Sequence, residues 1–156
     1  SAPISGEMNV ARAPGKLVAL GEYAVLEGAP AVVLALDRYV EAAIDTSLDG
    51  ECRLTVRAAE TVETRFAAGT PSGAALVDLV TSVLAPRVPW SATIDSQALF
   101  AGSAKLGLGS SAAVLCAWAA ALSAYARASG IEAPQLQVAE LIDLHRRFQG
   151  GKGSGH

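Results

Sequence analysis

The first half of the chain alternates short apolar and polar stretches, and the second half shifts to helical spacing. Val10–Ala13 and Leu17–Leu20 are apolar runs separated by Pro14–Gly15, and Ala31–Leu36 and Arg38–Ile44 follow as consecutive strands. Glu51–Ala58 and Thr61–Ala67 alternate around a polar turn near Ala59–Glu60, which predicts a hairpin with one wet face. Ser72 is placed to cap a helix over Gly73–Leu84, closed by Pro86. Trp90–Asp95 alternates again and reads as a strand. Gly109 then opens a long helix over Ser110–Ser129, stopped by Gly130, and Pro134 starts another that runs to about Gln149, where Gly150–Gly151 ends it. Strands followed by helices predict an α+β domain with helices packed on one sheet face. Residues 1–7 read as a tail or cloning remnant and 8–156 as one domain, with no internal repeat, low-complexity segment or interdomain linker.

Composition narrows the function classes. Of 156 residues, 51% are apolar and 17% charged, a globular balance with enough chain for a real core. The formal net charge is −3, and no basic patch or stripe suggests a nucleic-acid partner. Cys52 and Cys116 fit no metal spacing; Cys116 falls in an apolar helical run and reads as a buried thiol. A reducing, cytoplasmic setting is the simpler expectation. The N-terminus has no basic region followed by a long apolar stretch, so no secretory signal is read. The longest apolar run, Ala112–Leu122, is too short and Ala-rich to span a bilayer, so no membrane partner is expected.

The candidate chemistry lies in Lys105–Ala113, KLGLGSSAA. Two glycines lead into paired serines and then an Ala-rich helix. The first unpaired N–H groups of a helix point outward, where the macrodipole adds partial positive charge, so such a bend suits phosphate. Gly107 and Gly109 let an anion approach the backbone, and Ser110 and Ser111 add hydroxyls able to cap the helix, bond a phosphate oxygen or ligate magnesium. Three rival readings exist. One is a tight strand-to-helix turn with a serine cap. Another is a dinucleotide loop, since Gly107, Gly109 and Ala112 fall at G-x-G-x-x-A spacing, but a second helix follows where that motif needs a strand. The third, a Walker loop, lacks its Gly-Lys-Ser or Gly-Lys-Thr.

Three motifs in order resemble the galactokinase, homoserine kinase, mevalonate kinase and phosphomevalonate kinase (GHMP) superfamily. They are APGKLVALGEYAVLEGAPAVVLAL at Ala13–Leu36, KLGLGSSAAV at Lys105–Val114, and HRRFQGGKGSGH at His145–His156. The chain resembles the N-terminal portion of a family member, most closely a phosphomevalonate kinase. Gly21–Gly28 carries Tyr23 where mevalonate kinases usually have His, the loop opens with Lys105, and Ile94–Phe100 is similar to phosphomevalonate kinases. The resemblance implies the family's N-terminal ATP-binding domain, of the type named for domain 2 of ribosomal protein S5, with a mixed or antiparallel sheet backed by helices.

It also implies phosphoryl transfer from ATP to a small acceptor, phosphomevalonate or, as the nearest rival, mevalonate. Lys105, Leu106, Gly107, Leu108, Gly109, Ser110 and Ser111 would wrap the ATP phosphates, and Ser111 would bind Mg2+. Lys16 would be the active-site lysine beside the transferred phosphoryl. Glu22 would pair with Lys16 or orient substrate, and Tyr23 would line the acceptor pocket or pack in the core. Lys105, Arg146, Arg147 or Lys152 would hold the acceptor's own phosphate, although basic residues there also complement a helix C-terminus. Ser154 would join the acceptor contacts. Glu140 and Asp143 share one face of the last helix and read as solvent-facing.

Two departures stand out. His145 falls where mevalonate kinases place a magnesium-binding Glu. The family's catalytic aspartate would follow His156, so the chain by itself is expected not to be a competent kinase. It is expected to need the family's second half or a homodimer mate. A non-catalytic nucleotide-binding module is the alternative of another class.

Overall fold

The computed structural model describes residues 8–84 and 86–150; the expected tail at 1–7 and the positions of Lys152, Ser154 and His156 lie outside them. Five strands form one mixed sheet: β1 (Asn9–Leu20), β2 (Val32–Thr46), β3 (Cys52–Arg57), β4 (Thr61–Phe66) and β5 (Trp90–Asp95), in the order β1-β2-β5-β3-β4. Only the β3–β5 pairing is parallel; β1–β2, β2–β5 and β3–β4 are antiparallel. The crossover from the β3–β4 hairpin back to β5 is helix α1 (Ala75–Leu84). A two-stranded hairpin, β6 (Phe100–Ala101) and β7 (Ala104–Lys105), follows a short 3-10 turn at Gln97–Leu99, and helices α2 (Ser110–Ala128) and α3 (Val138–Phe148) complete the fold. The expected α+β class and mixed sheet backed by helices are both present.

Period-two alternation decides the layers. Val40, Ala42 and Ile44 of β2, Trp90, Ala92 and Ile94 of β5, and Cys52 and Leu54 of β3 are buried on the helix side. The opposite face is wet and charged: Arg12 lies 3.7 Å from Glu41 and 4.4 Å above the Tyr39 ring, and Arg53 lies 2.7 Å from Asp49 and 3.7 Å from Glu63. Helix α2 lies across β1 and β2, and α1 and α3 pack beside it. Trp118 of α2 is fully buried against Trp90, with ring centroids 5.4 Å apart, and its indole N–H donates to Thr81 Oγ1 at 3.2 Å. Burial also pushes the Cys52 thiol pKa up, partly offset by a backbone hydrogen bond from Trp90.

Several sequence expectations are corrected. The two pairs of short strands are two long strands, because Pro14–Gly15 bends β1 without ending it. Between the pairs Pro14–Tyr39 and Lys16–Ala35, Gly15 stands opposite the β2 segment 36–38, a bulge that absorbs the proline. Helix α3 begins at Val138, not Pro134. Its start is fixed by the Glu140 carboxylate, which accepts the Gln137 backbone N–H at 2.6 Å, so Glu140 is a capping residue and not merely solvent-facing. Helix α1 begins at Ala75; Ser72 Oγ accepts the Ala74 N–H at 3.2 Å and donates to Asp78 at 2.6 Å. Cys116 is exposed, because it lies off the buried stripe of α2 and lines a cavity of about 480 Å3 against Ala133, Pro134 and Leu136. Helix α2 is also longer than the apolar run suggested, enough by length and composition to cross a bilayer. Its buried residues face the sheet, so its apolarity is that of a core helix.

One part of the sheet has no helix over it. The C-terminal end of β1, the 3-10 turn Ala24–Glu27 and the N-terminal end of β2 form an arm. Val32, Val33 and Leu34 are 48%, 54% and 47% exposed, whereas Val40, Ala42 and Ile44 of the same strand are 0% exposed. Leu17, Leu20, Tyr23, Val25 and Leu26 are exposed on the arm as well. Tyr23 therefore does not pack in the core.

Candidate active site

The bend ahead of α2 is held against the bulge of β1. The Lys16 N–H donates to the Leu108 carbonyl at 2.8 Å, and the Leu106 N–H donates to Leu99 O at 3.2 Å. Gly15 permits the approach: a Cβ there would lie 2.8 Å from Leu99 Cδ2 and 3.2 Å from Leu108 O. Gly109 is constrained twice. Its φ is +68°, and a Cβ would lie 2.7 Å from Cγ and 3.1 Å from Cε of Lys16, so the lysine stem lies across this glycine. Thus Lys16, 93 positions earlier in the chain than Gly109, is brought onto the glycine bend.

Gly109 is also the N-cap of α2, and no side chain caps that helix. Ala113 is the first α2 residue whose N–H finds a carbonyl of this turn, donating to Gly109 O at 3.1 Å. Neither serine caps, contrary to the plain strand-to-helix reading. Ser110 is buried, and the Ser111 hydroxyl lies 3.0 Å from His145 Nε2 of α3. The His145 pKa is lowered, first by burial and then by the positive charge of Lys16. Uncapped N–H groups, the dipole of a 19-residue helix and the Lys16 ammonium thus converge on one end of the fold.

The remaining candidates are placed differently. Lys105 is exposed at the end of the β6–β7 hairpin, paired through its backbone with Phe100. Glu22 is exposed on the arm, and no ion pair joins it to Lys16 among the described residues. Arg146 is exposed and sits 3.5 Å from Asp143, one turn back on α3; that pair accounts for its charge at the surface. Beside the hairpin, an open, mainly apolar cavity of about 540 Å3 is lined by Leu54, Val56, Val62, Ala74, Phe100 and Ser103. Sequence reasoning missed this cavity and the Ser111–His145 contact, since both join segments far apart in the chain.

Magnesium fits only in one way. Among the described residues no cluster of three or more His, Cys, Asp or Glu could hold a metal ion. The Ser111 hydroxyl is a single neutral oxygen donor. That donor set suits a Mg2+ ion carried mainly by phosphate oxygens and water, which is how this ion is commonly held at phosphate-transfer sites.

Comparisons with known proteins agree on the fold. No protein-family model matches the sequence, and neither does any curated protein. Solved structures do. The Lin0012 protein of Listeria innocua matches with a TM-score of 0.70 and 24% identity, over 96% of this chain and 44% of that one. Methanococcus jannaschii mevalonate kinase matches with a TM-score of 0.68 and 20% identity, over 94% of this chain and 48% of that one. Streptococcus pneumoniae phosphomevalonate kinase, solved with phosphomevalonate and AMPPNP, matches with a TM-score of 0.63 and 19% identity, over 94% of this chain and 44% of that one. The likeness is one of fold. The mixed sheet backed by helices is an architecture that the mevalonate kinase and phosphomevalonate kinase structures also contain. The chain spans a little under half the length of these three structures.

Proposed function

We propose that this chain is the nucleotide-binding portion of a small-molecule kinase of the GHMP type, with ATP as phosphoryl donor. The observation that carries the reading is the uncapped start of α2 beneath Lys16. Phosphoryl transfer asks a protein for positioning and charge neutralisation more than covalent help. Backbone N–H groups of the 107–111 bend would hold phosphate oxygens, and Lys16 would stabilise negative charge on the group in transfer. The apolar cavity beside β6–β7 is of a size for a nucleotide's base. Bound Mg2+, with Ser111 as its protein ligand, would neutralise phosphate charge.

The acceptor we favour is phosphomevalonate. Support comes from Tyr23, Lys105 and the Ile94–Phe100 segment, and from the fold shared with a phosphomevalonate kinase. Lys105 and Arg146 are the described candidates for its phosphate, with Glu22 and Tyr23 on the arm as further acceptor contacts; Ser154 is a candidate outside the described residues. Mevalonate is the alternative acceptor, since a mevalonate kinase shares the fold equally well. We further propose that the arm is the seat of a second lobe corresponding to the rest of these kinases' length, that turnover needs that lobe, and that the setting is cytoplasmic. The direct test is calorimetric titration of the chain with AMPPNP and Mg2+, alongside thermal melting. A nucleotide that binds the folded state raises its stability by about 2.7 kcal/mol at a hundred times Kd. No heat and no melting shift would reject the reading.

A further inference from the structure

Ser111 and His145 are 34 positions apart, yet Oγ and Nε2 meet at 3.0 Å. A serine in the first turn of a helix has easier partners nearby, usually backbone N–H or carbonyl groups of the same turn. Here its one described partner is an imidazole on another helix. That helix is held in place by the Glu140 cap at its start and by Leu144, which is 5% exposed and packs in the core beside His145. The His145 ring also lies tilted on Phe148, with centroids 6.5 Å apart.

The direction of this hydrogen bond decides what Ser111 can do. A neutral imidazole donates from one ring nitrogen and accepts at the other. If Nε2 carried the proton, it would occupy one Ser111 lone pair, leaving a single lone pair for a cation and the hydroxyl proton unanchored. If Nε2 is bare, the hydroxyl proton is fixed on His145, and both lone pairs of Oγ stay free. Both arrangements leave Ser111 Oγ a lone pair, but only the second anchors the hydroxyl proton away from the cation and frees both lone pairs for it. We propose that His145 is a positioning residue for Ser111: bare at Nε2 and protonated at Nδ1, it takes the hydroxyl hydrogen bond and aims the serine oxygen at a nucleotide-bound divalent cation. This rests on the nucleotide reading above and adds to it. The two helices α2 and α3 together set the metal-facing oxygen, and His145 itself never touches the metal. Outer partners of this kind commonly change metal affinity more than their distance from the ion suggests.

The test uses the 156-residue chain, AMPPNP as probe, and titrations with Mg2+ or with EDTA. In the unaltered chain Mg2+ strengthens AMPPNP binding. His145→Ala should cut that gain by about tenfold or more, while metal-free AMPPNP binding stays within about twofold. His145→Gln, whose side-chain carbonyl can still accept the hydroxyl, should recover a substantial part of the gain. Independently of any ligand, long-range proton–nitrogen NMR of the unaltered chain should show His145 protonated at Nδ1 and bare at Nε2. A proton on Nε2 in the free chain overturns the proposal. So does a Mg2+ gain that His145→Ala leaves intact, or a loss that is equal with and without Mg2+, which would mark a merely structural residue. Failure of the unaltered chain to bind AMPPNP under either condition is a different result. It rejects the nucleotide reading itself, and the role of His145 with it.

Discussion

Strand β2 is two strands in physical terms. From Val40 to Ile44 buried residues alternate with the more exposed Glu41 and Ala43 and disappear beneath α2; from Val32 to Leu34 three apolar residues in succession are all about half exposed. The bulge opposite Gly15 divides the two halves. The body's hydrophobicity is fully explained by its own packing, whereas the arm's is not. Contiguous exposed apolar surface is a common mark of interaction sites, and this arm meets the 107–111 bend at Lys16, whose N–H donates to Leu108 O. The fold thus separates a body whose apolar surface is covered by its own packing from an arm whose apolar surface stays exposed, with the candidate site at the seam.

Substitutions should expose that difference, the largest effect first. Trp118→Ala removes a fully buried ring from the body and should lower the stability of the chain by about 3–5 kcal/mol in urea unfolding. Leu34→Ala, on the arm, should change it by no more than about 0.5 kcal/mol. Equal losses at the two positions would mean that the arm is packed after all. Next, the bare arm predicts concentration-dependent self-association in sedimentation. Replacing Leu20, Leu26 and Val33 together with Ser should weaken it by more than about tenfold, since each such side chain contributes roughly 1.5–3 kcal/mol when buried. If the triple variant associates as before, another surface is responsible.

At the seam, Gly109→Ala meets both a left-handed backbone and the Lys16 stem. It should cost about 1–2 kcal/mol of stability from the backbone alone, and it should displace Lys16 and so reduce nucleotide affinity. Normal affinity would show that the bend does not need its present shape. The smallest effect concerns pH. The pKa of His145 lies below the ordinary histidine value because of burial and Lys16. A depressed value means that the folded state favours the neutral ring. Its contribution to stability is complete above the ordinary histidine pKa and is lost as pH falls through the lowered one. Unfolding of the unaltered chain should therefore show a small acid-side loss that is absent in His145→Gln. An acid-side loss of the same size in both would assign it to other groups.

Much of this was legible in the sequence, and the reasons differ by region. Trp90–Asp95 and the β3–β4 hairpin were readable because one face is buried and the other wet, so the period of two survives in the residue pattern. The glycine bend was readable because its chemistry is local. The arm's exposure was not: an unbroken apolar run reads as a strand whether it is covered or bare, so Ala31–Leu36 gave no sign of being uncovered. The start of α3 was missed because Pro134 is a common first helical residue, while the actual start is set by a side-chain cap on Gln137. Lys16 on Gly109 and Ser111 on His145 are contacts across the fold, and no spacing in the chain encodes them.

Whether the 107–111 bend and Lys16 grip the phosphates of a nucleotide is read out by backbone NMR of the chain titrated with AMPPNP and Mg2+. The largest amide shifts should fall on Gly107 to Ala112 and on Lys16, and they should saturate together. Saturable binding that moves other amides and leaves these in place would overturn that role for the bend.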